Sequence, residues 1–291
     1  MTSLPAAGEL AAFSHLAARL LANPDARRPG SRRVRGRAGA GLEYLEHREF
    51  RIGDELRHVD WRLSARRQQL IIRERQAETG GDWWICLDVS SSMASANAVK
   101  WQAAVQCAAA VAYALIDLGH RVGLLAFADD IVANAPCGRG HAQFARLARR
   151  LLALAPPARG AASQLASCAA RIHTQSSCFV LSDFLRADNM QRDLAMLRAR
   201  SVDLHALSLA CTGDLRLPLD QHLTLVDVET SAQLDAVPTA GQQRMAEQAF
   251  AARGAALRAY CANASISFST SDAGAGWRGA LVHHLLHGPR R

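Results

Sequence analysis

The stretch that most constrains the fold is the run Trp83–Leu87, which is apolar at every position and stops on Asp88. A strand with one solvated face would alternate apolar and polar residues. The unbroken run therefore predicts a central strand covered on both faces, as in a parallel sheet between two layers of helices. Asp88 would then lie at the carboxyl end of that strand, where open α/β sheets bind their ligands.

An alternation of apolar strands and helical stretches follows residue 80. The predicted strands are 83–88, 121–127, 177–182, 202–209, 223–228 and 265–270, and the predicted helices are 97–118, 141–154, 163–174, 188–199 and 240–263. The repeat of roughly 30 residues or more per strand–helix–strand step is the length that parallel pairing with helical crossovers needs. We therefore expect an α/β fold with a doubly wound, mostly parallel sheet flanked by helices.

The part before residue 80 divides into two segments. Residues 1–24 are predicted to form an amphipathic helix, because Glu9, His15 and Arg19 interrupt their apolar positions. Residues 25–80 begin with an Arg-rich connector and continue as a charged, strand-rich appendage. Residues 81–291 would then form the α/β domain.

The formal net charge of +8 raises the possibility of a nucleic-acid partner. However, 33 of the 34 basic residues are Arg and Lys100 is the only Lys, which indicates a coding bias rather than a binding surface. Six Arg residues lie between Arg27 and Arg37, and no aromatic residue that could stack on bases interleaves with them. Nucleic-acid binding through this segment stays an alternative that composition does not favour.

Nothing in the first 24 residues reaches the roughly 18 apolar residues of a membrane span, and no secretory signal pattern is present. The seven cysteines include no C-x-x-C pair, which argues against a disulfide framework and against a zinc site. These features predict a cytoplasmic protein without a transmembrane segment.

Hydroxyl and carboxylate side chains lie at the ends of two predicted strands and at the start of one predicted helix. Asp88, Ser90 and Ser92 form a D-x-S-x-S triplet, Ser163 begins a predicted helix, and Asp183 ends the strand 177–182. The carboxyl ends of parallel strands meet at one edge of a sheet, so these side chains are expected to converge there. Oxygen ligands of this kind suit a hard divalent cation such as Mg²⁺ or Mn²⁺.

This pattern resembles the von Willebrand factor A domain, whose metal-ion-dependent adhesion site combines D-x-S-x-S with a Thr in a second loop and an Asp after a later strand. The resemblance assigns those roles to Asp88, Ser90, Ser92, Ser163 and Asp183. The second loop of that family usually reads Gly-Gly-Thr-Asp, whereas residues 161–164 read Ala-Ala-Ser-Gln. The resemblance implies a binding site in which the bound ion accepts an Asp or Glu from a protein partner.

Residues 41–78 are similar to the signature of a bacterial family, domain of unknown function 58, which joins such a segment to an A-type domain. The residues that match are Glu43, Gly53, Asp54, Arg57, Asp60, Trp61, Ser64, Ala65, Arg66 and Glu74. This resemblance extends over about residues 41–287. It implies a partner of the MoxR-type AAA+ ATPase class and a role in assembly or chaperone-like maturation.

Two questions stay open from the sequence. A phosphoryl hydrolase that uses Asp88 is the alternative to a binding site, but Ser90 stands where such enzymes carry a second Asp, and Lys100 is only a remote candidate for the lysine. The signature residues Arg57, Asp60, Trp61 and Arg66 either stabilise the appendage or form a docking face, and Trp61 favours the structural role.

Overall fold

The computed structural model describes residues 2–22, 44–49, 59–67, 69–75, 82–94, 98–185, 189–211 and 217–287. Its contacts divide the chain into two compact units. One comprises Arg27–Gly81, and the other comprises Met1–Ala26 together with Asp82–Arg291. The amino-terminal helix therefore belongs to the larger unit.

The helices are α1 (Ala7–Ala22), α2 (Trp61–Arg67), α3 (Val99–Asp117), α4 (Gly140–Ala153), α5 (Ala166–Arg171), α6 (Met190–Arg200), α7 (Ala240–Asn263) and α8 (Gly276–His287). The strands are β1 (Tyr44–Glu49), β2 (Ile71–Arg75), β3 (Asp82–Asp88), β4 (Arg121–Phe127), β5 (Ile131–Gly138), β6 (Ser176–Ser182), β7 (Ser201–Ala210), β8 (Leu223–Val226), β9 (Gln233–Ala236) and β10 (Ser267–Asp272).

The larger unit is built on a six-stranded sheet in the order β10-β7-β6-β3-β4-β5. All neighbouring strands pair parallel except β4 and β5, which pair antiparallel at one edge. The chain leaves β3 toward β4 on one side and later returns to β6 on its other side, so the direction of winding reverses at β3. This confirms the predicted α/β class with a mostly parallel sheet flanked by helices.

Apolar side chains of the central strands alternate between two cores. Ile85 and Leu87 of β3 face the core that also contains buried residues of α1, α3, α4 and α8. Trp84 and Cys86 face the opposite core, which includes residues of α5 and α6. Helices therefore cover β3 on both faces, which is the physical reason for its unbroken apolar sequence.

The smaller unit contains the antiparallel pair β1–β2 and the short helix α2. Asp60 begins that helix: its carboxylate accepts a hydrogen bond from the Leu63 backbone N–H at 3.1 Å, and its carbonyl accepts one from the Ser64 N–H. The Ser64 hydroxyl in turn accepts a hydrogen bond from the Ile71 N–H. These bonds attach the helix to β2.

Several described elements differ from the sequence prediction. The helix predicted over 163–174 spans only Ala166–Arg171, which leaves Ser163 in the loop before it, and α2 and β9 were not predicted. Residues 131–138 form the edge strand β5, which was not predicted. Residues 223–226 form a strand as expected, but β8 pairs with β9 in a separate two-stranded hairpin instead of entering the main sheet. The differences at β5 and β8 concern antiparallel partners, which a pattern of strand–helix–strand units does not indicate.

Helix α3 is long and apolar enough to cross a membrane by length and composition, but 72% of its most apolar window is buried inside the fold. That burial is typical of a core helix between a sheet and other helices. The cytoplasmic location and the absence of a transmembrane segment stay predictions.

The buried His284 of α8 gives the larger unit a pH-dependent stability. Its side chain is 2% exposed, and its ring nitrogens lie 3.1 Å from His205 Nδ1 and 2.7 Å from Ser269 Oγ. Burial, with repulsion from His205 and His283, holds the pKa of His284 well below the ordinary histidine value. In the folded protein this imidazole therefore stays neutral at a pH where it is protonated in the unfolded chain.

We expect the free energy of unfolding to fall as pH drops below about 6.5, because the unfolded state then binds more protons at this position. The limiting slope is about 1.4 kcal/mol per pH unit. Urea unfolding at about pH 7 and about pH 5 measures it, and His284→Gln should flatten the dependence. His287→Gln, on an exposed residue of the same helix, is the control. Equal slopes in all three proteins would contradict this assignment.

Candidate functional site

The carboxylate of Asp88 is the centre of a polar cluster at the end of β3. The side chain is 0% exposed, and both of its oxygens accept hydrogen bonds. Oδ1 accepts from the Ser90 backbone N–H at 2.8 Å. Oδ2 accepts from the hydroxyls of Ser163 at 2.7 Å and Ser182 at 2.6 Å. Three separate loops or strand ends are thereby joined at one carboxylate.

Strand register explains why Ser182 reaches Asp88. β3 and β6 are parallel neighbours with Leu87 opposite Leu181, so the next residues, Asp88 and Ser182, end the two strands at the same level. Asp183 follows immediately. The convergence of the strand ends expected from the sequence is therefore present in the fold.

The serine triplet folds into a turn that ends in a short 3-10 helix, Ser91–Ala94. The hydroxyls of Ser90 and Ser92 form a hydrogen bond with each other, with their Oγ atoms 3.1 Å apart, and both side chains are buried. Ser91 has a different role: its N–H donates to the Ala161 carbonyl at 2.9 Å, and its Oγ accepts from the Ala161 N–H at 3.0 Å. This pair of bonds fixes the loop that carries Ser163.

Asp183 forms the second acidic position, and Lys100 lies against it. The Lys100 Nζ is 3.0 Å from Asp183 Oδ2 and 3.1 Å from the Ser92 carbonyl oxygen. The Lys100 and Asp183 side chains in this ion pair are 0% and 2% exposed. The other carboxylate oxygen, Oδ1, accepts a hydrogen bond from the Leu185 N–H. Lys100 thus links Asp183 to the serine turn.

The surroundings of Asp88 disfavour its ionised form beside a second carboxylate, Asp183. Burial raises the pKa of Asp88, the nearby Asp183 carboxylate raises it further, and hydrogen bonds from Ser182 and Ser90 act in the opposite direction. A positive charge placed among these groups would favour the ionised form of Asp88. The Lys100 ammonium, 3.0 Å from Asp183 Oδ2, is one such charge.

All five predicted ligand residues lie in this one cluster, connected through hydrogen bonds and the Lys100 ammonium. Neighbouring oxygen ligands of an octahedral Mg²⁺ are separated by about 3.0 Å, given Mg–O distances of about 2.1 Å. The 3.1 Å between the Ser90 and Ser92 hydroxyl oxygens fits that requirement. In the part of the chain that the structure describes, no group of three or more His, Cys, Asp or Glu side chains forms a metal site, so the donors here are mainly hydroxyls.

Two residues of the cluster were missed by the sequence analysis. Ser182 was treated only as the last residue of a strand, although it donates the shortest hydrogen bond to Asp88. Lys100 was considered a remote candidate, yet its ammonium lies in the site. The signal for Lys100 was present in the composition, because it is the single Lys in a chain with 33 Arg residues.

The histidines at loop and helix ends, which a hydrolase could use as a general base, lie elsewhere. His120 and His173 come just before β4 and β6, and so at the amino edge of the sheet, opposite Asp88. His141 is the second residue of α4.

Asp129, after β4, accepts a hydrogen bond from the Ala162 N–H at 2.9 Å, and so helps to fix the loop before Ser163.

The signature residues of the smaller unit separate into two kinds. Asp60 is 7% exposed and begins α2, which supports its structural role. Trp61 is 62% exposed and Arg66 is also exposed, so neither side chain lies in a core. Arg57 and the segment Arg27–Arg37 lie outside the described residues.

Comparison with known proteins gives one family. The model of the family "Protein of unknown function DUF58" matches residues 46–260. Curated relatives include an uncharacterized protein of Mycobacterium bovis and two of Mycobacterium tuberculosis, each 26% identical over 198 residues. The match covers 66% of this chain and 62% of each relative, so it spans less than two thirds of their length.

Two solved structures share a distant likeness. One is the conserved hypothetical protein BatB from Bacteroides thetaiotaomicron, at 11% identity and a TM-score of 0.40, covering 71% of this chain and 98% of that one. The other is an aerotolerance-related membrane protein from Bacteroides fragilis with multiple mutations to serines, at 12% identity and a TM-score of 0.39, with coverages of 71% and 99%.

The hydrogen bonds to Asp88 predict a measurable effect of removing a single hydroxyl. Ser182→Ala deletes the donor to Asp88 and the acceptor of the Phe184 N–H at 3.0 Å. We expect the free energy of unfolding to fall by about 2 kcal/mol, since hydrogen bonds to charged groups are worth about 1.5–3 kcal/mol. Ser167→Ala, whose hydroxyl bonds only locally to the Gln164 carbonyl, is the control. Equal losses in urea unfolding would contradict the central role of Asp88.

Proposed function

Because the chain belongs to the DUF58 family, whose function is unknown, we propose its function from the geometry of the site: it is a metal-dependent adaptor that binds an acidic group of a protein partner. We also propose that the α/β unit is a von Willebrand factor A-like domain. The single observation that carries the proposal is the clustering of the D-x-S-x-S triplet with Ser163 and Asp183 at the ends of β3 and β6.

The ligand chemistry supports Mg²⁺, with Mn²⁺ as a substitute. The hydroxyls of Ser90, Ser92 and Ser163 would bind the ion, and the carboxylates of Asp88 and Asp183 would hold it directly or through water. A bound ion would supply a positive charge with a position for a carboxylate from outside. Asp88 orients the Ser163 hydroxyl by accepting its hydrogen, which leaves the lone pairs of that oxygen for a ligand role.

The burial of the cluster supports recognition of a small group rather than a broad surface. Asp88 and Ser90 are 0% exposed, whereas Ser163, at 9%, is the most exposed of the five predicted ligands. A single Asp or Glu side chain is narrow enough to reach such a site. The partner that the family resemblance suggests is a MoxR-type AAA+ ATPase or its client, and we propose that the complex is cytoplasmic.

The first test of this function is metal binding by the isolated protein. Calorimetry should detect Mg²⁺ and Mn²⁺ binding to the wild type, weakened at least about tenfold, or about 1.4 kcal/mol, in the Asp88→Ala/Ser90→Ala double variant. Ser167→Ala is the matched control, because its hydroxyl lies just beyond Ser163 and outside the cluster. Thermal melting must show that each protein is folded. The same variants are then compared for binding to a purified MoxR-type ATPase.

Metal binding that survives in the folded double variant would contradict the assignment of these ligands. Loss of ATPase binding in the double variant, with retention in Ser167→Ala, would support the adaptor role. This comparison avoids a chelator, which would also remove the Mg²⁺ that an ATPase needs with its nucleotide.

A second candidate function, phosphoryl hydrolysis, is favoured by one observation: Lys100 lies at the site, 3.0 Å from Asp183. A lysine near an aspartate nucleophile can stabilise a transferring phosphoryl group. Against this, Asp88 is 0% exposed and its Oδ2 already accepts two short hydrogen bonds.

We expect no turnover of p-nitrophenyl phosphate by the wild type with Mg²⁺ present. The variant Asp88→Asn separates the two functions, because it keeps the shape of the side chain and removes the nucleophile. Turnover by the wild type that is lost in Asp88→Asn would replace the adaptor proposal with the hydrolase.

A further inference from the structure

Lys100 combines full burial with a place in the ligand cluster. It is the second residue of α3, and its side chain is 0% exposed. Burying an ammonium is costly unless a negative charge and further hydrogen bonds compensate for the lost water. Asp183 Oδ2 at 3.0 Å and the Ser92 carbonyl at 3.1 Å supply that compensation.

The start of α3 is unfavourable in two further respects: one concerns the charge of Lys100, and the other concerns the backbone before it. Helix N-termini carry partial positive charge, so a lysine in the first turn of α3 is repelled by the helix dipole. The residue before the helix, Ala98, adopts a left-handed backbone with φ of 61° and provides no side-chain cap. Local strain of this kind is retained where the surrounding structure or a function requires it.

The choice of lysine over arginine is specific to this position. The chain uses Arg at the other 33 basic positions. Arginine carries its charge on a wide planar fork, whereas the lysine ammonium is a compact point charge. A compact cation between a carboxylate and a backbone carbonyl occupies the kind of oxygen environment that a metal ion also uses.

We propose that Lys100 is a resident cation of the site, which neutralises Asp183 when no divalent ion is bound and competes with that ion for the Asp183 carboxylate. This inference rests on the proposed function, since it concerns the same site. It goes beyond that function because Lys100, a side chain of the protein, would supply part of the positive charge that a metal ion supplies when it is bound.

The charge balance gives the inference a regulatory consequence. With both carboxylates ionised, Asp88, Asp183 and Lys100 sum to one negative charge. A bound divalent ion changes that sum to one positive charge, which an acidic side chain from a partner would neutralise. The ion is therefore held weakly alone and more tightly with the acidic partner, and by reciprocity the partner binds better with the ion.

The test is Mg²⁺ and Mn²⁺ binding by calorimetry to the wild type and to Lys100→Met, which keeps an unbranched side chain of nearly the same length and removes the ammonium. We expect the variant to bind the metal at least about tenfold more tightly, because the competing ammonium is gone. The control is Arg121→Met. Arg121 pairs with Asp82 at 3.2 Å, and both residues lie at the amino ends of their strands, β4 and β3, whereas the site lies at the carboxyl ends. Loss of Arg121 should therefore leave metal affinity unchanged.

The outcomes separate this inference from the function on which it rests. Tighter binding by Lys100→Met, including binding seen only in this variant, supports the inference. Equal or weaker binding than the wild type overturns it and leaves the metal-dependent adaptor in place. No binding by either folded protein overturns the metal part of the proposed function, and the inference with it.

A second measurement keeps the inference testable if Lys100→Met does not fold alone. The variant leaves Asp183 buried without this partner, so its melting temperature in EDTA should fall, and Lys100→Met/Asp183→Asn should recover part of the loss. Added Mg²⁺ should raise the melting temperature of Lys100→Met more than that of the wild type. An equal or smaller rise would show that the ion does not take the place of the ammonium, which would overturn the inference.

Discussion

The burial of the Asp88 carboxylate is the constraint on which the rest of the site depends. A carboxylate at 0% exposure must receive hydrogen bonds, and this one receives them from its own turn, from the Ser163 loop and from the end of β6. Each donor comes from a different part of the chain, so the carboxylate fixes the relative positions of three segments. The bonds between Ser91 and Ala161 also join the serine turn to the loop that carries Ser163. The hydrogen bonds within the protein therefore hold the cluster together without any bound ligand.

The sheet topology explains why this cluster also contains charges of both signs. β3 is central, and its parallel neighbour β6 ends beside it, which brings Asp183 next to the serine turn. The first turn of α3, the next α-helix after β3, lies close to the same edge, because Lys100 contacts Ser92 and Asp183 there. Two carboxylates and one ammonium in a buried site leave a net negative charge that an additional cation could offset. Under the proposal made above, the affinity for that cation would depend on how strongly Lys100 already holds Asp183.

Much of the fold could be predicted because its signals are local. The strand 121–127 and the helix 240–263 have the predicted bounds, and the convergence of Asp88 with Asp183 follows from parallel strands ending at one edge. The edge strand β5 was missed because it is half exposed and contains Pro136, which is typical of an edge and not of a central strand. The partners of Asp88 and Lys100 could not be predicted in detail. Their long-range contacts depend on the relative placement of segments 75 to 94 residues apart in the chain.

The arrangement of hydrogen bonds around Asp88 is the reason we propose cation binding rather than chemical attack. A nucleophilic carboxylate needs an oxygen with a free approach to its substrate, whereas Asp88 Oδ2 accepts two short hydrogen bonds and Oδ1 accepts a third. The bond to Oδ2 from Ser163 orients that hydroxyl so that its hydrogen points to the carboxylate and the lone pairs of its oxygen are left for another partner. Hydroxyls used in this way present neutral oxygen ligands without adding negative charge. An ion bound by such ligands stays attractive to a carboxylate from outside, which is the property that an adaptor for acidic partners requires.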